Sequence, residues 1–366
     1  MFAYQGYGRS WRCYMKKTVA VVVLLAIIAG MAFAQQIPSK IADRKTPIKI
    51  AVIRNLGSDD HTNQFLAGAK EEGESLGFKV DTFITNGDDA KFQDYANLVL
   101  NQGYDGVILS HGKDPYATSV VQSFVKKGIA VSVFDTALSG EIPGVTVTSQ
   151  KDESLAEMSL GQLVKDFGGN AAIFKLWVAG FPPMERRQTV YKKVLAENPG
   201  IKELELIGAV SADVPGDTAN KVGAALAKYP KGKVQAIWGS WDAFAQGAYK
   251  ALKENGRTEI KIYGIDVSNQ DLQLMQEKDS PWVCTAAVDP KLIGKINLRL
   301  VAKKIAGEKT PAVYEFAASL IKQEDLKKSK TPVNMATLST IIPGWGESND
   351  FNEPWMDALR AKNKKK

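Results

Sequence analysis

Residues 58–64 read SDDHTNQ. Two carboxylates, Asp59 and Asp60, stand beside His61, one of only two histidines in 366 residues. Such a cluster suits a metal ion, an acid–base pair, or the rim of a pocket for a neutral ligand rich in hydroxyl groups. A stable metal site takes three or four ligands, and neither a second clustered histidine nor a cysteine pair is present. Nucleophilic and metal-assisted catalysis have their own signatures, and the chain contains no H-E-x-x-H or G-x-x-x-x-G-K-S/T; its G-x-S-x-G, Gly73–Gly77, closes a helical pattern instead of following a strand. The stretch GQLVKDFGG follows a helical pattern rather than a strand, so it is no dinucleotide fingerprint. The expectation is a binding site with no catalytic residue, no metal and no cofactor. A secreted enzyme of unknown reaction is the remoter alternative.

The elements that must position this cluster repeat along the chain. IKIAVI (48–53), KVDTFIT (79–85), GVILS (106–110) and IAVSVF (129–134) read as short apolar strands. Between them lie helical patterns: Phe65, Leu66 and Ala69 up to Gly77; Phe92, Tyr95, Leu98 and Val99 after a cap at Asp88 or Asp89; Val120, Val121, Phe124 and Val125 up to Gly128. A second set follows, with strands AAIFKLWV (171–178), ELELIGAV (203–210), VQAIW (234–238), IKIYGI (260–265) and WVCTAAV (282–288). Strands alternating with amphipathic helices imply parallel sheets covered on both faces, and two sets imply two doubly wound lobes. In such sheets ligands bind at the carboxyl ends of the strands. Those ends carry SDDHTNQ, Asp135, Phe181 with PPMERR, Trp241 with Asp242, and Asp266.

The N-terminal segment reads as an export signal. In MKKTVAVVVLLAIIAGMAFAQ (Met15–Gln35), Lys16 and Lys17 form a positive start, Val19–Gly30 is apolar, and Ala32–Ala34 is an A-x-A cleavage site. The residues before Met15 read as an over-called start. Cleavage after Ala34 removes four basic residues and no acids, which takes the net charge from +7 to +3 and weakens any case for nucleic acid. The remaining chain then has a single cysteine, Cys284, in an apolar strand context that points to packing. Lys362, Lys364, Lys365 and Lys366 read as a frayed, solvated tail.

From about Ile48 to Leu326 the chain resembles the periplasmic sugar-binding proteins of ABC transporters, of the ribose- and galactose-binding type. YDGVILS is similar to the third-strand stretch of that family. VQAIWGSWDAFAQGAYKAL (234–252) is similar to its strand, polar pair and Ala/Gly-rich helix, and YGIDVSNQDLQLM (263–275) to its strand ending in Asp. The resemblance implies a type I periplasmic binding protein fold: two doubly wound α/β lobes joined by a multi-strand hinge, with the ligand cleft between them. It implies a signal segment over 1–34, a first lobe over 46–138 completed by about 289–316, a second over 139–288 completed by about 317–345, and a tail over 346–366. It also implies a monomer in the periplasm that delivers a monosaccharide or polyol to an inner-membrane permease, with presentation to a chemoreceptor or sensor kinase as the alternative. A transcription repressor of the same architecture would need an N-terminal helix-turn-helix where the signal segment stands.

On this resemblance the ligand-binding residues are Asp59, Asp60, His61, Asp135, Phe181, Arg187, Trp241 and Asp266. The family's stacking aromatics are replaced by His61 and Thr62 in the first loop, Gly216 stands where a second would lie, and Val288 replaces an amide. Trp241, Trp177 and Phe181 then offer a different apolar wall. Carboxylates accept paired hydroxyls, an arginine donates in a fixed fork, and aromatic faces cover C–H patches. The neighbouring residues have structural roles to fill. We expect Asp60 to cap the helix that begins near Thr62 and Asp59 to reach the cleft. Asp242 should cap its own helix, Arg186 should be a solvated charge beside Arg187, Trp238 should be packing, and His111 should sit on a loop at a strand end.

Overall fold

The computed structural model describes residues 37–57, 59–114, 116–208, 211 and 213–364. The expected export segment at Met15–Gln35, Ser58 of the acidic loop, Ala209 and Val210, and Lys365 and Lys366 lie outside them. Two six-stranded sheets form two lobes. The first has the order β11-β5-β4-β3-β1-β2 and the second β12-β10-β9-β8-β6-β7. In the first, β1 (Lys49–Arg54), β2 (Lys79–Ile84), β3 (Gly106–Ser110), β4 (Ala130–Phe134), β5 (Thr146–Gln150) and β11 (Val313–Phe316) are all parallel. In the second, β6 (Asn170–Leu176), β7 (Gly200–Ile207), β8 (Ala236–Gly239), β9 (Lys261–Ile265) and β10 (Trp282–Ala287) are parallel, and β12 (Ser319–Lys322) runs antiparallel to β10.

Each sheet is covered on both faces. In the first lobe, Phe65, Leu66, Ile293 and Leu300 fill one side, and Phe92, Val99, Val121 and Phe124 the other. In the second, Val222, Phe244, Leu252 and Met275 lie on one side and Leu155, Leu160, Val190 and Tyr191 on the other. This two-sided burial makes the central strands continuous apolar runs. Trp238 is fully buried and stacks on Tyr191 at 5.0 Å, a packing role. Cys284 is likewise buried in β10.

The chain passes between lobes several times, which assembles the hinge. It leaves the first lobe after β5, returns with the helix Pro290–Ala306, and leaves again between β11 and β12. The helix Pro290–Ala306 is seated against the helix Asp60–Ser75 with almost no gap: a Cβ on Gly68 would lie 1.9 Å from Lys291 O, and one on Gly294 would lie 2.0 Å from Phe65 O. Only glycine permits that approach.

Two boundaries differ from expectation. β5 (TVTSQ) belongs to the first sheet, so that lobe runs past 138 to Gln150. The C-terminal segment is no frayed tail up to Asn363. Val333, Met335, Leu338 and Trp345 pack into the second lobe, then the helix Pro354–Asn363 buries Trp355, Met356 and Leu359 against the first. Arg360 pairs with Glu72 there, which Arg299 also bonds at 2.7 Å. Apolar burial on both lobes outweighs the solvation of the terminal lysines.

Candidate functional site

The carboxyl ends of both sets of parallel strands face one cleft with about 660 Å³ of empty space, part of it open to solvent. β1 delivers Arg54 and the loop with Leu56, Asp59 and His61; β3 delivers His111; β4 delivers Phe134 and Asp135; β5 delivers Gln150. The second lobe contributes Val178, Phe181, Pro183, Met184 and Arg187 after β6, Trp241 after β8, and Asp266 after β9. Of the expected residues, Asp59, His61, Asp135, Phe181, Arg187, Trp241 and Asp266 are brought together here. Asp60 is not in the cleft wall.

Three cleft residues hold a left-handed backbone. His111 (φ 61), Asp135 (φ 42) and Asp266 (φ 72) are half of the six non-glycine residues at positive φ among those described. Each sits just past a strand end, where the chain must turn sharply while the side chain points into the crevice. Such strain concentrates at functional sites.

Of the two acids of the opening loop, the helix cap is Asp59 and not Asp60 as expected. Asp59 is the N-cap of the helix Asp60–Ser75, and its Oδ1 accepts from the Thr62 amide at 2.6 Å. Asp59 also lines the cleft. Asp60 reaches across to the other lobe, where its Oδ2 accepts from Asn269 N at 2.7 Å and Asn269 Nδ2 at 3.1 Å. An N-cap carboxylate serves the amide two or three residues ahead of it in the helix, and Asp59 holds the extended backbone (φ −107, ψ 177) that this geometry requires. Asp242 shows the same shift by one residue: Trp241 occupies the cap position, and Asp242 is the first helical residue, its Oδ1 accepting from Ala243 N at 2.8 Å.

Arg54, absent from the sequence expectations, organises the first-lobe wall. It is 1 % exposed and, among the described residues, has no carboxylate within ion-pair distance. Its guanidinium donates from Nε to Thr62 Oγ1 (3.3 Å), from Nη1 to Ser110 Oγ (2.8 Å) and from Nη2 to His61 Nδ1 (3.1 Å). It also lies 4.8 Å from the centre of the Phe65 ring. Burial lowers its pKa to about 10, against the pull of Asp59 and Asp135. Arg54 therefore stays charged at neutral pH. Because a guanidinium only donates, His61 Nδ1 accepts, and the His61 proton resides on Nε2. Ser110 Oγ accepts a hydrogen bond from Arg54 and donates to His111 Nδ1 at 2.8 Å; His111 Nδ1 also lies 3.4 Å from the donor Arg54 Nη1, which places the His111 proton on Nε2 as well. Burial, and next to it the Arg54 charge, lowers the pKa of both rings. Both histidines are thus neutral, each with an Nε2–H to offer.

Asp152 anchors the second-lobe wall. It is fully buried at the start of the helix Asp152–Phe167 and accepts from both arginines, Arg187 Nε at 2.7 Å and Arg186 Nε at 2.8 Å. Arg187 also donates to Asp266 (Oδ2 3.1 Å, Oδ1 3.3 Å) and to Ser240 O at 2.6 Å. Burial opposes its charge, yet Asp266 and Asp152 raise its pKa above the ordinary value. Arg186 is not a free solvated charge: it bridges to Asp135 Oδ1 of the first lobe at 2.9 Å. The long side chains of adjacent arginines converge on one buried carboxylate, which the helical spacing alone does not foretell. Burial, then Asp152, pushes Asp135 up to about 8. Gln150 donates to Asp266 Oδ1 at 3.2 Å and ties the hinge to the second lobe.

Two acceptors in this cleft, Asp135 Oδ2 and Gln150 Oε1, are buried and have no hydrogen-bond partner among the described residues. Such groups call for donors from a ligand. Trp177 does not line the cleft; its Nε1 donates to Met184 O at 2.8 Å and braces the segment that does. Val288 is buried in the first-lobe core and Gly216 lies in the first turn of the helix Val214–Leu226, both outside the cleft wall. No group of three or more His, Cys, Asp or Glu among the described residues is placed to hold a metal. Of the residues not foreseen, Arg54, Leu56, Phe134, Val178, Pro183 and Met184 lie at or just beyond the same strand ends as those that were, and Gln150 ends β5, a strand end at which none was expected. Arg54 carried the clearest signal, a single charge closing the apolar run KIAVIR.

Residues 50–309 match the model of the periplasmic binding protein domain family, and the chain belongs to that family. A ribose import binding protein of Haemophilus influenzae is 24% identical over 250 residues, covering 67% of this chain and 81% of that one. Among solved structures, a sugar ABC transporter protein of Yersinia enterocolitica subsp. enterocolitica is 68% identical at a TM-score of 0.87, covering 90% of this chain and 99% of that one. A solute-binding protein of Thermotoga lettingae, solved with 5-methylthioribose, is 29% identical at a TM-score of 0.82, covering 89% and 100%.

Proposed function

We propose that this protein is the periplasmic solute-binding component of an ABC importer, closing its lobes on a neutral monosaccharide or polyol and delivering it to a membrane permease. One observation carries the reading: Asp135, whose Oδ2 is buried and has no partner among the described residues, lines the same cleft as His61 and His111, each with an Nε2–H. A hydroxyl group both donates and accepts, so a ligand with several of them can satisfy both kinds of group at once. Arg186 and Arg187 are matched to Asp135, Asp152 and Asp266, which favours an uncharged ligand. The sugar-related relatives support the same class, and the apolar, A-x-A-bounded N-terminal stretch supports export.

We read the histidines and acids as binding groups rather than catalysts. The Ser110–His111 contact pairs a hydroxyl with an imidazole, but Ser110 is fully buried behind the strand end and does not line the cleft. The test is a thermal-shift screen against pentoses, hexoses and polyols. A bound ligand raises the melting temperature by mass action, by an amount that grows with concentration over Kd. A melting temperature unmoved by every member at millimolar concentration overturns the reading.

A further inference from the structure

The cleft is chemically two-ended. The unpartnered acceptors, Asp135 Oδ2 and Gln150 Oε1, belong to the first-lobe and hinge side, near Arg54 and the two imidazoles. The segment that follows β6 is of the opposite character. Val178, Phe181, Pro183 and Met184 reach the cleft from one continuous stretch of seven residues, and none carries a side-chain group that bonds a hydroxyl strongly. Part of its backbone is also taken. Pro182 and Pro183 have no N–H. The Gly180 amide is taken by Glu185 Oε1 at 2.8 Å, the Phe181 carbonyl by the Glu185 amide at 3.1 Å, and the Met184 carbonyl by Trp177 Nε1 at 2.8 Å. The weak acceptor Met184 Sδ already receives Ser240 Oγ at 3.3 Å. Trp241 and Leu56 extend the apolar lining.

We infer that the ligand is a monosaccharide or polyol with one apolar end: a terminal carbon bearing hydrogen, alkyl or alkylthio in place of hydroxyl, seated against Val178, Phe181, Pro183 and Met184. This rests on the sugar-binding reading above and narrows its substrate class. A terminal hydroxyl pressed on these side chains would give up its water for no side-chain partner, which is why sites of this kind disfavour the polar analogue. A methyl or methylthio group there replaces water on apolar surface instead. The apolar segment is braced from behind by Trp177, itself under Lys175 at 4.6 Å, so it does not have to form around the ligand.

Calorimetric titration of matched pairs tests this directly. The probes are D-ribose with 5-deoxy-D-ribose and 5-methylthio-D-ribose, D-xylose with 5-deoxy-D-xylose, and D-galactose with 6-deoxy-D-galactose. In the family of pairs that binds, we expect the apolar-ended member to bind at least tenfold more tightly than its parent. Phe181→Ser should reduce that ratio to threefold or less, while Phe181→Leu, which keeps the contact apolar, should preserve it. Parent sugars that bind as tightly as their deoxy partners, or more tightly, overturn the inference and leave the sugar-binding reading standing. Binding by no probe of either kind, together with a flat thermal-shift screen, removes the reading on which it rests.

Discussion

Asp60 and Asn269 clasp the two lobes at the mouth of the cleft. One carboxylate oxygen of Asp60, at the start of a first-lobe helix, accepts both the backbone N–H (2.7 Å) and the side-chain amide (3.1 Å) of Asn269, at the start of a second-lobe helix. The anion thereby also sits at a helix N-terminus, where the backbone dipole favours it. Asn269 is held in turn by the C-terminal segment, since its Oδ1 accepts from Met335 N at 3.0 Å. Met335 is packed into the second-lobe core. The clasp is thus braced from behind.

Asp60→Ala should therefore weaken sugar binding about fivefold, or about 1 kcal/mol, the scale of a partly exposed hydrogen bond to a charged group. The folding stability of the sugar-free protein should change little. Small-angle scattering should show the variant's sugar-free form more open than wild type. Unchanged affinity together with an unchanged scattering profile would show that the clasp does not contribute to closure.

Asp59→Ala acts on folding as well. Loss of the cap on Thr62 N should cost about 1 kcal/mol, which lowers the melting temperature by about 2–4 °C in a domain of this size. Thermal melts without sugar read this out. A melting temperature equal to wild type would mean that the cap is replaced by solvent at no cost.

How much of this was legible in the sequence depends on the kind of signal. KIAVIR and GVILS are buried along nearly their whole length, and such continuous runs announce a parallel sheet and hence its ligand-bearing edge. TVTSQ, VYEF and SLIK are short edge or near-edge strands with polar alternation, and they carry no comparable signal. The Asp59–Asp60 pair failed by one residue, because two adjacent acids before one helix are equivalent until the backbone dihedrals choose the cap. Arg186 misled because spacing on a helix describes Cβ positions, whereas its guanidinium travels far enough to reach Asp152 and Asp135. Asn269 had no signal, since the residue it faces lies in the other lobe.

Arg54 separates binding from stability. A buried guanidinium with no carboxylate partner is costly to desolvate, so Arg54→Met, similar in volume, should leave the sugar-free melting temperature unchanged or higher. Sugar affinity should fall at least tenfold, because His61 and Ser110 lose the donor that fixes their orientation. Paired melts and titrations decide this. A variant that is both destabilised by many degrees and normal in affinity would contradict the role assigned to Arg54.

Behind Trp241, Asp242 and Asp271 form a buried acid pair. Burial pushes both up, Asp271 to about 7, and the mutual charge adds to the rise of Asp242. Gln246 donates to Asp271 Oδ1 at 2.7 Å, while Asp271 Oδ2 has no partner among the described residues. The folded state therefore holds protons that the unfolded chain releases above the ordinary carboxylate pKa of about 4. That contribution to stability is fully present below about pH 4 and is lost as pH rises through about 7. The melting temperature of wild type should fall between pH 5 and pH 8. Asp271→Asn, which removes one of the two like charges, should flatten that fall and melt higher than wild type at pH 8. Parallel pH profiles for the two proteins would contradict the shared-proton pair.

The central claim is that Asp135 offers its unpartnered oxygen to a hydroxyl of a neutral sugar or polyol. The most direct measurement is calorimetric titration of the sugar giving the largest thermal shift, into wild type and Asp135→Asn side by side. Asparagine tolerates the left-handed backbone at this position (φ 42), so the exchange tests the carboxylate rather than the fold. At pH 9, above the raised Asp135 pKa of about 8, we expect one site per chain in wild type and an affinity lower by about 1.5–3 kcal/mol in the variant, the range for hydrogen bonds to a charged group. Equal affinities in the two proteins would contradict the account.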